Sequence, residues 1–461
     1  MKPDSSPATL GILLAWCLIV APSALRAQVA PANRAVKLQP APAHREVVSQ
    51  WLDSHLPEIV EAYKHLHANP ELSFQELKTA TFVARHLEKA GWEVTQGVGR
   101  TGVVAVMKNG AGPTVLIRGD MDALPVIEET GLPYASKVLV KNPDGTSVGA
   151  MHACGHDVHS TMLIGLAPLF AGLKEHWKGT IMLIAQPAEE IGRGAKAMID
   201  DGLFEKFPRP DYCLSLHVKH NLPVGALGFT SGFAMANVDS VDITIFGKGG
   251  HGARPHDTVD PIVTAAHVIT ALQTIVSRRM NPIEPAVVTV GSIKGGTKHN
   301  IIPGEVKLQL TVRSYTDEVR KVLLDSIRQI TTDTCKTFGC PKPPEIVILE
   351  NEFTPAAYND PALTTAAIDL FSKLIGKDNI HEPRAEMGGE DFGRFAKHLG
   401  VPGLQYRVGT QSREKYEASL KPGANPLPSL HSSFFYPEPE PTLRLGVESM
   451  ANLALSLLQN P

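Results

Sequence analysis

Cysteine is scarce in this chain, with five residues among 461. A fold held together mainly by disulfides needs a far higher density, so a disulfide framework is excluded. Cys17 lies in an apolar N-terminal run, and Cys213 lies in an apolar stretch typical of a buried core thiol. Cys335 and Cys340 are close enough in sequence either to pair or to stay free. Cys154 differs from the others because metal-binding side chains surround it.

An excess of charge of one sign is also missing. Lys and Arg number 44 and Asp and Glu number 47, which gives a formal net charge of -3. Proteins that bind nucleic acid or an anionic membrane surface normally carry a strongly basic region, so we expect no nucleic-acid partner. Hydrophobic residues at 43% and charged residues at 20% are instead typical of a globular protein.

The apolar run at the N-terminus, residues 10–21, is too short to span a bilayer comfortably. It follows Lys2 and precedes several small residues, which predicts a signal peptide over residues 1–27 and therefore an exported protein. An uncleaved membrane anchor is the alternative. Residues 28–44 are rich in alanine and proline and predict a disordered linker.

The order of predicted elements indicates two domains, as the length of 461 residues also does. Helices and strands alternate over residues 45–236, which predicts an α/β domain with a largely buried sheet. Residues 237–350 follow a β-α-β-β-α-β order, the ferredoxin-like α+β pattern. The α/β pattern resumes over residues 351–461. We therefore predict a second domain that is inserted into the first.

Acidic and histidine side chains follow three apolar runs that we interpret as strands. The runs and the residues after them are 114–117 with Asp120 and Asp122, 181–184 with Glu189 and Glu190, and 213–216 with His217. In α/β domains, ligands bind beyond the carboxyl ends of the strands. These side chains are therefore expected to share one site.

The densest group of metal-binding side chains is the segment 151–159, with one cysteine, three histidines and one aspartate. Cys154 and His156 stand two positions apart, so both would face the same side of an extended segment. Thiolates and imidazoles bind zinc-like cations, and a His-rich loop without metal is the alternative. With Glu190 and His217 they form a mixed donor set. That set suits two divalent ions if one thiolate or carboxylate bridges them.

Glu189 and Glu190 are neighbours for which we predict different roles. On an extended segment they would point in opposite directions, so one could bind metal while the other faced substrate. A carboxylate that does not bind metal is a suitable base, and Glu189 is the candidate. A solvated helix N-terminus, where acidic residues are favoured, is the alternative. Asp122 is predicted to assist catalysis by accepting the free N–H of a ligand histidine, with direct metal binding as the alternative.

Three polar residues of the predicted inserted domain are candidates for contact with substrate. His251 lies in a glycine-rich loop, where the backbone can approach a ligand closely and the imidazole can donate to an oxyanion. A plain turn is the alternative. Asn300 and Arg313 lie next to apolar runs, and the planar fork of arginine matches the two oxygens of a carboxylate.

The motifs together resemble the metal-dependent amidohydrolases that include hippurate hydrolase, aminoacylase-like enzymes and plant auxin-conjugate hydrolases. The matching segments are 67–76 (HANPELSFQE), 118–125 (RGDMDALP), 151–159 (MHACGHDVH), 186–192 (QPAEEIG), 216–218 (LHV), 247–256 (GKGGHGARPH), 299–303 (HNIIP), 387–392 (MGGEDF) and 430–432 (LHS). They occur in the order of the family and extend through most of the chain.

The resemblance implies a zinc-exopeptidase-like catalytic domain, an α/β/α sandwich, with an inserted ferredoxin-like lid that also mediates homodimerisation. It implies two divalent ions, Zn, Mn, Co or Ni, with Cys154 as the bridge. The implied ligands are Cys154, His156, Glu190, His217 and His431. It further implies that Glu189 is the general base, that Asn300 and Arg313 contact substrate, and that His251 reaches an active site, often that of the partner subunit.

The expected reaction is hydrolysis of the amide bond of N-acyl or N-aroyl amino acids by a metal-activated water, with Glu189 as general base. A dipeptidase or carboxypeptidase that uses the same two-metal site is the first alternative, because the amide chemistry is identical and only the pocket differs. A non-catalytic binding protein is the second alternative. The intact set of predicted ligands and the predicted base count against it.

Overall fold

The computed structural model describes residues 36, 38, 42–141 and 145–458. The predicted signal peptide, residues 1–27, lies outside the described residues, as does most of the predicted linker, residues 28–44. Among the residues that the structure describes, no helix is both long enough and apolar enough to cross a membrane.

The structure alternates helices and strands before and after a mainly antiparallel middle section. The strands are β1 (Glu93–Val98), β2 (Gly102–Asn109), β3 (Thr114–Asp120), β4 (Leu139–Lys141), β5 (Ser147–Gly149), β6 (Gly179–Gln186), β7 (Tyr212–Pro223), β8 (Leu227–Gly228), β9 (Gly232–Met235), β10 (Asn237–Phe246), β11 (Gly250–His251), β12 (Ala286–Gly295), β13 (Ile301–Ile302), β14 (Glu305–Ser314), β15 (Glu345–Ile348), β16 (Ala357–Asn359), β17 (Ile380–His381) and β18 (Gly403–Gln411). The helices are α1 (Pro42–Ala68), α2 (Leu77–Lys89), α3 (His156–Gly172), α4 (Gly194–Asp200), α5 (Leu203–Lys206), α6 (Pro261–Thr274), α7 (Asp317–Thr337), α8 (Pro361–Ile375), α9 (Gly393–Leu399), α10 (Arg413–Ser419) and α11 (Pro439–Leu458).

The large sheet has eight strands in the order β1-β2-β6-β3-β7-β18-β8-β17. The central strands β6, β3, β7 and β18 are parallel to one another, whereas β1 and β2 pair with their neighbours in antiparallel fashion. Strand β8 is antiparallel to β18 and parallel to β17. The carboxyl ends of the parallel strands therefore meet at one edge of the sheet. Asp122, Glu189 and Glu190 follow strands there, whereas Asp120 ends β3 and His217 lies within β7.

Helices cover both faces of this sheet because its central strands are apolar on both sides. In β3, Val115 and Ile117 belong to the core that also contains buried residues of α1, α3 and α11. The intervening Leu116 belongs to a separate core that includes Met198 of α4 and Phe395 of α9. This alternation follows from the two-residue period of a strand. The architecture is the predicted α/β/α sandwich.

The middle section has its own sheet and its own core. Strands β12, β14, β10 and β15 form a four-stranded antiparallel sheet in that order. Helices α6 and α7 supply apolar residues to the core beneath it, which includes Val268, Leu323 and Ile327. The elements follow the β-α-β-β-α-β order that the sequence predicts. We call residues 237–350 the lid.

Candidate metal centre

Cys154 and His156 lie at the start of α3, and a single glycine determines how they are arranged. The sequence predicts an extended segment for Cys154 and His156, but that expectation is wrong, because α3 begins at His156. Gly155 has φ 79° and turns the chain sharply between the two side chains. A Cβ atom at this position would stand 2.5 Å from Val218 Cγ2, so only glycine fits both the turn and the close approach.

The five predicted ligands form two trios that share one sulfur atom. The imidazole trio is Cys154, His156 and His217, and the carboxylate trio is Cys154, Glu190 and His431. Within each trio, the candidate ligand atoms lie within 4.8 Å of one another. Cys154 Sγ is 3.5 Å from His217 Nε2 and 3.3 Å from His431 Nε2. The thiol therefore occupies the position that a bridging ligand requires.

His217 and His431 reach the thiol from distant parts of the chain. His217 lies inside β7, which continues to Pro223, rather than beyond the end of a strand. Its Nδ1 is 2.7 Å from the carbonyl oxygen of Val218, which leaves Nε2 for Cys154. His431 has φ 68° and donates its backbone N–H to Ala153 O at 2.8 Å. Its side chain is 55% exposed, so the carboxylate trio lies at the open end of the site.

Glu189 and Glu190 lie on a turn after β6, which contradicts the extended segment expected from the sequence. Ala188 has φ 49°, and the turn directs both carboxylates to the same side. Glu189 Oε2 and Glu190 Oε1 are 3.9 and 3.8 Å from His156 Nε2. Both residues donate their backbone N–H groups to the carboxylate of Asp122, at 3.1 and 3.0 Å.

Asp122 also contacts the ring of His156, as the sequence predicts for a group that orients a ligand histidine. Its carbonyl oxygen and Oδ1 lie 2.8 and 3.2 Å from His156 Nδ1. If Nδ1 carries the proton, His156 Nε2 faces the site with a free lone pair. His156 Nε2 and Glu190 Oε1 are both buried and have no hydrogen-bond partner. Buried polar atoms are normally paired. Two buried atoms that carry lone pairs, lack a hydrogen bond and lie beside a thiol therefore fit a metal ion.

The acid–base properties of the cluster point the same way. Burial raises the pKa of the Cys154 thiol well above its usual value, and the charge of Glu190 adds to this effect. Burial raises the pKa of Glu189 well above its usual value too, together with the charges of Glu390 and Glu190. It also raises the pKa of Glu190 to about 7, against the opposing charge of His156. Cations bound here would favour the deprotonated forms of these groups.

Beneath the cluster, Arg118 holds a buried ionic network. Its guanidinium lies 2.6 Å from Asp120 Oδ2, 3.0 Å from Glu390 Oε1 and 3.3 Å from Asp391 Oδ1. Asp120 Oδ1 in turn lies 2.6 Å from His159 Nδ1. This network gives a structural role to Arg118 and Asp120 of the RGDMD motif and to Glu390 and Asp391 of the MGGEDF motif. Their charged residues join strand β3 to the segment before α9.

A second buried network surrounds His67 at the end of α1. Its ring nitrogens lie 2.7 Å from Asp157 Oδ2 and 3.0 Å from Glu128 Oε1. Burial alone would lower the pKa of His67, but hydrogen bonds to the two carboxylates outweigh it and raise the pKa to about 9. Asp157 follows His156 directly, so this network supports the first turn of α3.

A cavity of about 180 Å³ opens beside the thiol. The lining residues include Cys154, Glu189, Glu190, His217, Lys219, Met235, Glu386, Glu390, Arg407 and His431. Sequence reasoning missed Lys219, Met235, Glu386 and Arg407. Lys219 could have been found, because it stands two residues after His217 on the same strand and shares its face. Arg407 follows an apolar run in the same way that Asp120 does, but it lies in a region without a recognised motif.

The lid residues that the sequence predicts to contact substrate are not at this cavity. None of them lines the cavity. His251 is exposed, and its Nδ1 accepts the N–H of Ala253 at 3.0 Å. Asn300 is next to it, since its carbonyl oxygen accepts the N–H of Gly252 at 2.9 Å. Arg313 lies on β14, and its guanidinium donates to Val312 O at 3.2 Å. The described residues of one chain therefore do not bring these side chains to the cluster.

A Cys/His/Glu cluster beyond the central strands of an α/β/α sandwich, together with a separate lid, is the arrangement of a metal-dependent hydrolase. The chain belongs to peptidase family M20/M25/M40, whose model matches residues 116–424. This match confirms the family that the motifs predict, and it confirms the predicted fold class. The protein is an enzyme of this metal-binding hydrolase family.

Relatives of this chain are named for different hydrolase activities. The chain is 40% identical over 354 residues to a hippurate hydrolase of Campylobacter jejuni, covering 74% of this chain and 88% of that one. It is 37% identical over 401 residues to thermostable carboxypeptidase 2 of Saccharolobus solfataricus, covering 86% and 94%. A dinuclear metal-binding peptidase of the M20 family from Bacillus subtilis has a similar structure, with a TM-score of 0.71 and 30% identity, covering 89% of this chain and all 100% of that one.

Proposed function

We propose that this enzyme hydrolyses the amide bond of N-acyl or N-aroyl amino acids, with Glu189 as the general base. The observation that carries the proposal is the position of Glu189. Its carboxylate lies 3.9 Å from His156 Nε2 and belongs to neither of the two trios that share Cys154, although it forms a further candidate metal-binding group with His156 and Glu190. It is therefore beside the metal ligands and available to move a proton.

We further propose that two divalent ions, Zn, Mn, Co or Ni, bind at the two trios with Cys154 as the bridge. Cys154, His156 and His217 would hold one ion, and Cys154, Glu190 and His431 the other. The shared sulfur and the orphaned atoms of His156 and Glu190 support this assignment. When bound, such ions polarise a carbonyl group and lower the pKa of a water molecule.

The residues of the chain supply the proton transfers. Glu189 takes a proton from the attacking water as the new C–O bond forms at the carbonyl carbon. It then gives that proton to the nitrogen as the C–N bond breaks, so the immediate products are a carboxylic acid and an amine, and transfer of the acid's proton to the amine leaves a carboxylate and an ammonium group. Asp122 fixes both the ring of His156 and the turn that carries Glu189, and it therefore positions the base relative to the ligands.

For the lid we propose a role in a homodimer. His251, Asn300 and Arg313 would act at the active site of the partner subunit, where His251 would donate to the oxyanion and the other two would contact substrate. None of these side chains lines the cavity of their own chain, which supports this arrangement. Export through a cleaved signal peptide, residues 1–27, is proposed on the sequence alone.

The test is a screen of substrates and metals. The chelator-treated enzyme is reconstituted separately with Zn, Mn, Co and Ni, and release of free amine is measured from N-benzoylglycine, N-acetyl amino acids and dipeptides. We expect N-acyl amino acids to be the better substrates. Faster cleavage of dipeptides would favour the second candidate, a carboxypeptidase or dipeptidase, which the carboxypeptidase relative supports. Full metal loading without hydrolysis of any substrate would contradict both.

A further inference from the structure

We propose that Arg407 binds a carboxylate of the substrate next to the metal ligands. Arg407 would then be a specificity-determining residue on the wall of the catalytic domain, distinct from Arg313 of the lid. This inference rests on the proposed function for the identity of the substrate, but the binding site itself follows from the contacts of Arg407.

The position of Arg407 is set by the large sheet. It lies on β18, directly opposite His217 of the parallel strand β7 and opposite Gly228 of β8. Arg407 and His217 both line the cavity, and so does Lys219. The guanidinium is therefore on the same wall as a predicted metal ligand.

Among the residues that the structure describes, no carboxylate forms a hydrogen bond or an ion pair with Arg407, although the charges of Glu390 and Glu386 act on it. Its hydrogen bond goes to Met235 Sδ at 3.0 Å, and a thioether is a weak acceptor. The residue is half-buried. A partly buried guanidinium without an anion is unusual, because burying an unpaired charge costs free energy.

The acidic residues around Arg407 already have other partners. Glu390 accepts hydrogen bonds from Arg118 at 3.0 Å and from Gln405 at 2.6 Å. Glu386 forms an ion pair with Lys219. The carboxylates of Glu189 and Glu190 lie near His156, where the metal would bind. The chain thus leaves the fork of Arg407 free for an anion from outside.

A carboxylate of the substrate matches this vacancy in charge and shape. Its two oxygens can accept two parallel N–H groups from one guanidinium, which a chloride ion or a hydroxyl group cannot do. An anion here would also separate the guanidinium from the cations proposed at the two trios. Because Arg407 lines the same cavity as the predicted metal ligands Cys154 and His217, a carboxylate bound to it would lie close to the scissile bond. It can belong either to the amino-acid half or to the acyl half of the substrate.

The experiment measures binding rather than turnover. In the Glu189→Gln background, which should hold substrate without cleaving it, Kd is measured by calorimetry for two matched pairs of ligands. N-benzoylglycine and N-benzoylglycinamide differ in a carboxylate on the amino-acid half. N-succinylglycinamide and N-butyrylglycinamide differ in a carboxylate on the acyl half. Arg407→Gln is compared with Arg407→Lys, and with Arg413→Gln on the exposed helix α10 as the matched control.

We expect Arg407→Gln to raise Kd for the carboxylate ligand of one pair by about 10- to 100-fold, as loss of a charged hydrogen-bonded pair does. Kd for the matching neutral ligand should not change, and the pair that responds identifies which half carries the carboxylate. Arg407→Lys should lie between wild type and Arg407→Gln, and Arg413→Gln should match wild type. Equal weakening of acid and neutral ligands, or no weakening of either acid, would overturn the proposal.

The outcome is separable from the proposed function. If the wild-type enzyme cleaves none of the N-acyl amino acids while Arg407 still discriminates acid from neutral ligands, the function falls and this inference stands. If the enzyme cleaves them and Arg407→Gln binds the acid ligands as tightly as wild type does, the proposed function stands and this inference falls. The metal content of each variant is measured alongside, and an unchanged value shows that the ligand trios are intact.

Discussion

The catalytic cluster and the lid differ in how completely one chain builds them. Around Cys154, residues from both flanking sections of the sequence converge to within hydrogen-bond distance, and most of them are buried. On the lid, His251 and Asn300 are exposed and do not contact the cluster. The two regions come from the same set of motifs, so the motifs alone do not tell which residues meet within one subunit.

The difference teaches that the two regions are assembled by different means. The cluster is organised by the covalent chain and its sheet, through Gly155, the turn at Glu189 and the strand pairing of His217. The lid residues His251, Asn300 and Arg313 do not line the cavity of their own chain, so the role that we propose for them requires a second copy of the chain. Substitutions in the two regions should therefore impair the enzyme in different ways.

The largest effect is expected for the base in the cluster. Glu189→Gln removes the group that accepts the proton but leaves both ligand trios intact, so kcat should fall by about 10²–10⁴. Steady-state kinetics and metal analysis of the same preparation provide the measurement. Near-normal turnover in this variant would contradict the mechanism, and loss of metal would assign Glu189 a ligand role instead.

A smaller but more informative loss is expected in the lid. His251→Ala removes an oxyanion donor and should lower kcat by about 10²–10³, with metal content unchanged. Mixing this variant with Glu189→Gln should restore part of the activity, because a mixed dimer contains one site with both residues intact. If the mixture stays as inactive as its components after subunit exchange, His251 does not act across a dimer.

The pH dependence of stability should come from the catalytic section rather than from the lid. The pKa of His67 is raised from 6.5 to about 9 in the folded protein. Its stabilising contribution, up to about 3 kcal/mol, is present in full below pH 6.5 and is lost as the pH rises to about 9. Chemical denaturation across this range measures it. His67→Gln should give a flatter profile, and an unchanged profile would show that the network does not hold a proton.

The smallest effect is expected for the group that orients the ligands. Asp122→Asn keeps the shape of the side chain but weakens its contacts with His156 and with the turn at Glu189. Metal affinity should fall by about 10–100-fold, measured by competition with a chromophoric chelator. Because the ligands themselves remain, added metal should recover most of the bound ions. Failure to recover them would make Asp122 a direct ligand.

Much of the fold was predictable because its signals are local. The apolar runs of β3, β6 and β7 and the alternating burial of β10 follow directly from the periodicity of a strand. The helix start at His156 was not predictable, because it depends on the left-handed conformation of Gly155 and on contact with Val218 from another strand. The turn at Glu189 depends in the same way on Asp122.

Charged residues that pair across the sheet were harder to predict than metal ligands. Arg118 and Glu390 are 272 positions apart and form an ion pair that no local pattern indicates. Arg407 was hard to predict for a different reason. The partner that we propose for it is a carboxylate of the substrate, which is not part of the chain. The candidate metal ligands Cys154, His156 and Glu190 could be identified because Cys, His and Glu cluster in short segments of the sequence, whereas the family resemblance was needed for His431.

The order of strands in the large sheet has a consequence for the newly synthesised chain. Strand β18 lies between β7 and β8, although β7 and β8 follow each other directly in sequence. Until residues 403–411 leave the ribosome, β7 therefore has an unpaired edge that can join other chains. Pairing over such a long separation is slow, and the exposed intermediates are prone to aggregate. Chaperones that cover this edge would determine how much of the newly made protein folds successfully.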